Sequence, residues 1–180
     1  AIKDYDKNIR FIDLDENSGH AHARNIALEE VETPYFMFLD ADDELASYAI
    51  TFYLEKFNNT DGLIAPIHSF TTQRPQFVDL DRVRVEYFNA KENINSFLRK
   101  QSACNIIFRT AIVRAHHIRF NENLNTYVDW SFVLEYMKYV NKFVRIFNFP
   151  FYFRGEVYDP FETLTLSEQN FDILFKDYVN

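Results

Sequence analysis

The sequence is short of the residues that usually mark redox chemistry or special backbone geometry. Its 180 residues include one cysteine, Cys104, which excludes an internal disulfide and suits a reducing compartment. Glycine occurs only 3 times, so each glycine is expected to meet a backbone requirement. No apolar run is long enough to span a bilayer, and no signal-peptide pattern is visible.

Positive charge is also in short supply. The chain has 19 Lys and Arg against 27 Asp and Glu, a formal net charge of -8. This balance argues against nucleic-acid binding, which needs a basic surface. It does not exclude a nucleotide ligand, provided that a cation lies between the ligand and the carboxylates. We expect a cytoplasmic protein, with the inner face of the membrane as a further option.

Aromatic side chains are abundant, with 20 Phe and 11 Tyr. Hydrophobic residues make up 47% of the chain and charged residues 26%, which is typical of a globular protein. The length is enough for one sizeable core. We therefore predict a single domain that covers residues 1–180.

The order of predicted elements indicates an α/β protein. A strand at Ile9–Leu14 precedes a helix at His20–Val31, and a continuous apolar strand at Tyr35–Leu39 precedes a helix at Ala46–Phe57. Further strands are predicted at 63–70, 82–88, 103–108 and 143–153, and further helices at 91–99, 110–115, 128–140 and 167–179. This alternation predicts a three-layer sandwich with a mainly parallel central sheet.

A cluster of acids follows the apolar strand. Asp40, Asp42, Asp43 and Glu44 place four carboxylates within five residues. Like charges this close repel one another, and a divalent cation with a preference for oxygen, Mn²⁺ or Mg²⁺, would relieve the repulsion. The alternative is that the last three acids only cap the next helix.

Three short motifs together resemble the signature of family-2 glycosyltransferases with the GT-A fold. They are N-S-G at 17–19, A-R-N at 23–25 and F-L-D-A-D-D at 38–43. The spacing between the N-x-G turn, the A-R-N helix and the D-x-D strand end is much as in that family. Family membership implies transfer of a sugar from a nucleotide diphosphate-sugar to an acceptor hydroxyl, with metal dependence and inversion of configuration.

The resemblance also implies roles for individual residues. Asp42 would ligate the metal that bridges the diphosphate, and Asp40 would contact the metal or the ribose. Asp43 would hold an acceptor or sugar hydroxyl. Arg24 would lie near the nucleotide, unless it only forms a surface ion pair with Glu29 or another acid. The turn that approaches the nucleotide would be shaped by Asn17 and Gly19.

A second acidic motif supplies the candidate general base. Family members usually carry Glu-Asp at the start of a later helix, and here the matching pair is Val128-Asp129. Asp129 alone remains to take the proton from the acceptor hydroxyl, unless it only caps its helix. Near the end, Tyr152-Phe153-Arg154 and Thr163-Leu164-Thr165 resemble the closing segment of the family. Arg154 would then neutralise the leaving group, or else it is a solvated side chain at a strand end.

The family domain usually opens with a strand–helix–strand unit that binds the base and ribose, and nothing before Ile9 resembles it. We therefore expect a partial domain that is itself inactive. We also expect it to self-associate through a sheet edge exposed at Tyr35–Leu39 or Ile9–Leu14.

The nucleotide, the sugar and the acceptor are not specified by these motifs. A glycan or polyol-phosphate acceptor is the expectation, because enzymes of this kind often build teichoic acids and capsules. Two other functions fit part of the pattern. One is a degenerate binding module without turnover, and the other is a haloacid-dehalogenase-type phosphatase with its nucleophile in F-L-D-A-D.

Overall fold

The computed structural model describes residues 9–57, 59–69, 78–92, 102–124, 126–148 and 151–155. The predicted helix at 167–179 and the segment Thr163–Thr165 lie outside these ranges. So do all but the first two residues of the predicted helix at 91–99.

Within the described ranges the chain alternates between helices and short strands. The helices are α1 (Gly19–Glu29), α2 (Ala49–Phe57), α3 (Thr110–Ala115) and α4 (Val128–Met137). The strands are β1 (Tyr35–Phe36), β2 (Glu44–Leu45), β3 (Gly62–Ile64), β4 (Ile67–Ser69), β5 (Val85–Asn89), β6 (Ile106–Arg109), β7 (Lys142–Ile146) and β8 (Tyr152–Arg154). Single 3-10 turns form at Leu80–Arg82 and Ala103–Asn105.

The strands form a five-stranded sheet in the order β1-β6-β3-β7-β5 and a three-stranded sheet in the order β2-β8-β4. In the larger sheet only β3 and β7 run parallel, and the other three pairs are antiparallel. The prediction of a mainly parallel sheet is therefore wrong for the described strands. An apolar run shows that a strand is buried on both faces, but it carries no information about the direction of its neighbours.

The larger sheet has a core on each face, as the predicted three-layer arrangement requires. On β3, Leu63 packs into the cluster that contains α2, whereas Ile64 packs into the cluster that contains residues of α1, α3 and α4. This division follows from the alternation of side chains along a strand. Aromatic rings fill both cores, with Phe151 against α2 and Phe132 against Phe108.

The first predicted strand is not formed. Ile9–Leu14 has no strand pairing, and its large apolar side chains are exposed. The second strand is shorter than predicted, because only Tyr35–Phe36 pairs with β6, and Leu39 is 50% exposed. An apolar run needs a neighbouring strand to become part of a sheet, and none of the described strands lies beside Ile9–Leu14. β1 is an edge strand of the described sheet, so self-association through this edge stays a prediction.

The described helices are short. The longest, α1, has 11 residues, and none of the described helices is both long and apolar enough to cross a membrane.

A tight contact in the larger sheet generates a stability prediction. A Cβ at Gly62 would lie 2.3 Å from the ring of Phe143, which is fully buried on the neighbouring strand β7. We expect Gly62→Ala to lower the free energy of unfolding by roughly 1–3 kcal/mol, because the ring has no room to move. Urea denaturation measures this change.

The control for that prediction is Leu54→Ala on α2. Leu54 is 65% exposed, so its truncation should change stability by at most about 0.5 kcal/mol. An equal effect of the two substitutions would show that the close packing of β3 on β7 is incorrect.

Candidate active site

The N-terminus of α1 is set by the N-S-G turn. Asn17 accepts a hydrogen bond through Oδ1 from the backbone N–H of Gly19, at 3.1 Å. Gly19 has φ +83°, in the left-handed region that glycine adopts at little cost. This turn starts α1, and Arg24 lies on that helix about one and a half helical turns after Gly19. None of the described contacts joins Asn17 or Gly19 to the acidic residues of the site.

Arg24 lies at the centre of the candidate site. Its guanidinium donates to Asp40 Oδ1 at 2.6 Å and also to Asp129 Oδ1. Its side chain is only 14% exposed, and the guanidinium lies 5.5 Å and 5.3 Å from the ring centres of Phe38 and Phe120. Burial alone would lower the pKa of Arg24, but the two carboxylates outweigh it and the pKa is raised.

These contacts show which acids pair with Arg24. Glu29 lies 3.5 Å from Arg119 and not against Arg24. Arg24 instead contacts Asp40 and Asp129, which lie 16 and 105 positions further along the chain. Arg24 therefore forms partly buried ion pairs with acids other than Glu29, and three predicted site residues, Arg24, Asp40 and Asp129, form one cluster. Its position near the nucleotide stays a prediction.

Both oxygens of Asp40 are occupied. Oδ1 accepts from Arg24, and Oδ2 accepts from the thiol of Cys104 at 3.2 Å. Burial would raise the pKa of Asp40, but the hydrogen bond and charge of Arg24, the Cys104 hydrogen bond and the charge of Arg154 together lower it. Burial and the nearby Asp40 raise the pKa of Cys104 to about 12, so the thiol remains protonated and acts as a donor.

Asp129 is held by three groups from two other segments and does not cap its own helix. Its Oδ2 accepts from the hydroxyl of Ser102 at 3.0 Å and from the backbone N–H of Ala103 at 3.1 Å, while Oδ1 accepts from Arg24. The N-cap residue of α4 is Tyr127, which makes no side-chain cap hydrogen bond. Because a carboxylate offers about four acceptor positions, one lone pair on Oδ1 remains for another donor.

Asn25 fixes the loop that leads to Asp129. Its side-chain Nδ2 donates to the carbonyl of Phe120 at 2.9 Å and to Glu122 at 2.7 Å, and its Oδ1 accepts from the N–H of Phe120 at 2.8 Å. Hydrogen bonds from Asn25 and His22 lower the pKa of Glu122. The A-R-N motif thus has two tasks, because Arg24 binds the carboxylates and Asn25 positions the segment before α4.

The D-x-D segment is also tied to the end of β8. Asp43 accepts hydrogen bonds from the phenol of Tyr152 and from the backbone N–H of Gly155, the latter at 2.8 Å. Burial and the Asp43 carboxylate raise the pKa of Tyr152, so the phenol keeps its proton. A Cβ at Gly155 would lie 2.3 Å from the carbonyl oxygen of Asp42, so only glycine permits this approach.

The two predicted metal ligands, Asp40 and Asp42, differ in how many protein donors they already bind. Among the described residues, no three His, Cys, Asp or Glu side chains are grouped so that they could hold a metal ion by themselves. Asp40 and Asp43 are occupied by protein donors, whereas Asp42 is exposed and receives no hydrogen bond from the described residues. A single carboxylate, supplemented by phosphate oxygens and water, is a normal way to hold Mg²⁺. Asp42 fits that role, and the metal itself stays a prediction.

Arg154 is exposed at the end of β8, yet its charge reaches Asp40. Its role beside the diphosphate stays a prediction. Ser102 and Cys104 also contact the clustered residues, and Asn25 contacts the loop before α4, although no role was predicted for them from the sequence. Asn25 was visible within the A-R-N motif, but no local pattern marks Ser102 or Cys104, which reach the site only through the fold.

The described residues form an α/β fold with a mixed sheet, a core on each face and the acidic D-x-D segment after β1. The family model "Glycosyl transferase family 2" matches residues 1–119. The chain belongs to this family, and the phosphatase alternative is therefore wrong.

Solved structures of S. aureus TarS share the fold. The complex of TarS 1-349 with UDP-GlcNAc matches with a TM-score of 0.70 at 19% sequence identity, over 91% of this chain and 47% of that chain. A structure of TarS 1-349 without a named ligand has a TM-score of 0.61 at 22% identity, over 79% and 42% of the two chains. The chain thus spans less than half the length of these TarS structures. The predicted GT-A-like α/β class is confirmed.

The Arg24–Asp40 contact predicts a specific acid dependence of stability. The pKa of Asp40 in the folded protein is below its unfolded value, which is about 3.9. The stabilisation is therefore complete above the unfolded pKa and disappears as the pH falls through the lower folded pKa. In Asp40→Asn this part of the loss of unfolding free energy at acid pH should be absent. Urea denaturation at a series of pH values measures the loss.

Asp42→Asn is the matched control for that experiment. Asp42 is exposed two residues away, so its substitution should leave the acid dependence as in the wild type. If Asp40→Asn and the wild type lose stability equally on acidification, Asp40 does not form the ion pair with Arg24.

Proposed function

We propose that this protein transfers a sugar from a nucleotide diphosphate-sugar to an acceptor hydroxyl, with inversion at the anomeric carbon. One observation carries the proposal. Arg24 joins Asp40 of the D-x-D segment to Asp129 of the later acidic motif, so the predicted donor residues and the predicted base form one site. Membership of glycosyl transferase family 2 supports the same reaction class.

Asp129 is the general base of this proposal. Its carboxylate is oriented by Ser102, Ala103 and Arg24, and it is 25% exposed, so an acceptor can reach it. The acceptor hydroxyl gives its proton to Oδ1 of Asp129, and its oxygen forms a bond to the anomeric carbon. The bond between that carbon and the diphosphate oxygen breaks, and the nucleoside diphosphate leaves with the electron pair.

The donor side of the site is formed by the D-x-D segment and by Arg154. Asp42 would hold Mn²⁺ or Mg²⁺, which supplies positive charge to the departing diphosphate when it is bound. Arg154 adds a second positive charge near Asp40. S. aureus TarS, which shares the fold, binds UDP-GlcNAc, so a uridine nucleotide is the first donor to test. A surface glycan or polyol phosphate remains the proposed acceptor class.

The first test of this proposal is Asp129→Asn, made in the full-length enzyme that also contains the strand–helix–strand unit expected before Ile9. Loss of a general base typically costs about 10²–10⁴-fold in rate, so turnover should fall by that amount while donor affinity changes little. Transfer rates with a radiolabelled nucleotide-sugar and a donor titration measure the two quantities.

Glu135→Gln is the control, since Glu135 lies on the same helix but pairs with Lys138. Its turnover should remain normal. Near-normal turnover of Asp129→Asn would show that Asp129 is not the base, and Asp43 and Glu122 would be the next candidates. Donor binding without any turnover in the wild type would favour the binding-module alternative.

The second test concerns the metal. Asp42 alone supplies too few oxygen ligands to complete the coordination shell of Mn²⁺. The ion should therefore bind weakly to the protein, and more tightly when UDP supplies phosphate oxygens. Asp42→Asn should remove this gain, whereas Asp81→Asn, an exposed carboxylate on the turn at Leu80–Arg82, should keep it. Calorimetric titration of Mn²⁺ with and without UDP decides the point, and equal affinities in the wild type would contradict it.

A further inference from the structure

One guanidinium holds two acids that belong to different sequence motifs. Arg24 donates to Asp40 Oδ1 at 2.6 Å through one terminal nitrogen and to Asp129 Oδ1 through the other. The Arg24 side chain is only 14% exposed. Its charge is thus already shared between two carboxylates of the protein, and it offers little surface to a ligand.

Two aromatic rings limit the movement of this guanidinium. The ring centres of Phe38 and Phe120 lie 5.5 Å and 5.3 Å from its central carbon. Both rings pack against the fully buried ring of Phe132, so they are themselves fixed by the core. A side chain held in this way is suited to orienting a neighbour, because its own rotamer is fixed before any ligand binds.

Asp40 has protein donors on both of its oxygens. Oδ1 accepts from Arg24, and Oδ2 accepts from the buried thiol of Cys104 at 3.2 Å. The same thiol lies 3.6 Å from a terminal nitrogen of Arg24, so the three side chains contact one another. Asp42 is exposed two residues further along and receives no hydrogen bond from the described residues. The two acids of the D-x-D motif therefore have different surroundings.

Arg24 contacts the oxygen of Asp129 that the proposed reaction uses. Oδ2 accepts from Ser102 and Ala103, whereas Arg24 is the only donor to Oδ1 among the described residues. Because a carboxylate oxygen has two lone pairs, Oδ1 can accept one more hydrogen bond. The position of Arg24 therefore decides where the remaining lone pair of Oδ1 points.

We propose that Asp40 and Arg24 serve the base and not the donor. Asp40 holds Arg24, and Arg24 orients Oδ1 of Asp129, so both are positioning residues. Asp42 is then the acid of the D-x-D motif that is left for the donor. These roles differ from those that the family resemblance implies, which are a nucleotide contact for Arg24 and a metal or ribose contact for Asp40. The inference rests on the proposed function, because it requires Asp129 to be the base.

A double-mutant cycle in the full-length enzyme tests these roles. Asp40→Asn keeps the size of the side chain and removes its charge, and it is made alone and together with Asp129→Asn. Alone it should lower kcat about 10–100-fold, the usual cost of losing a partner that orients a functional group. In the Asp129→Asn background it should cause no further loss, because residues that act through one another have non-additive effects.

Arg24→Lys is the second variant, and it keeps the positive charge if loss of Asp40 destabilises the fold. A single ammonium group cannot reproduce the fork that reaches both carboxylates, so kcat should again fall only while Asp129 is present. Glu29→Gln is the matched control, because Glu29 lies on the same helix but pairs with Arg119. Its kcat should equal that of the wild type.

Binding of UDP with Mn²⁺ is measured on the same proteins by calorimetry. Asp40→Asn and Arg24→Lys should bind UDP like the wild type, because neither residue contacts the nucleotide in these roles. Asp42→Asn should bind UDP more weakly. A purely structural defect would not separate kcat from UDP affinity in this way.

Every other result overturns a defined part. A loss of UDP affinity in Asp40→Asn or Arg24→Lys as large as that in Asp42→Asn would place these residues on the donor side. Losses of kcat that multiply with that of Asp129→Asn would show that they act independently of the base. Near-normal turnover of the single variant Asp129→Asn would instead contradict the proposed function, and the positioning roles would be wrong with it.

Discussion

The guanidinium of Arg24 is the contact on which the candidate site depends. Without it, Asp40 and Asp129 would be two partly buried carboxylates near each other, and each would raise the free energy of the other in its ionised form. Hydrogen bonds to charged groups contribute about 1.5–3 kcal/mol each, roughly twice the value of neutral ones. The Arg24 bond to Asp40, together with the Cys104 hydrogen bond and the charges of Arg24 and Arg154, explains why burial does not neutralise Asp40, whose pKa is lowered.

The surrounding residues position the groups around this contact. Asn25 fixes the loop before α4 through the backbone of Phe120, and Asp43 joins the D-x-D segment to Gly155 after β8. Segments distant in sequence are thus held by hydrogen bonds that leave little freedom to the two carboxylates. Two groups remain available to a ligand: the exposed carboxylate of Asp42 and one acceptor position of Asp129.

Site residues that belong to short sequence motifs could be predicted. Residues that reach the site only through the fold could not. Arg24 and Asp129 were identified from sequence because their motifs combine residue types with a defined order. Ser102 and Cys104 were missed, because their roles arise from the position of a 3-10 turn that has no chemical signature. Ile9–Leu14 was taken for a strand on its apolar residues alone, although pairing depends on a neighbouring strand that the local sequence does not reveal.

The central claim is that Asp129 acts as a single base in a direct displacement at the site that Arg24 organises. The anomeric configuration of the transferred sugar tests it most directly. Proton NMR coupling constants of the product, compared with those of the nucleotide-sugar donor, give the configuration. The account predicts inversion, and retention of the donor configuration would contradict it.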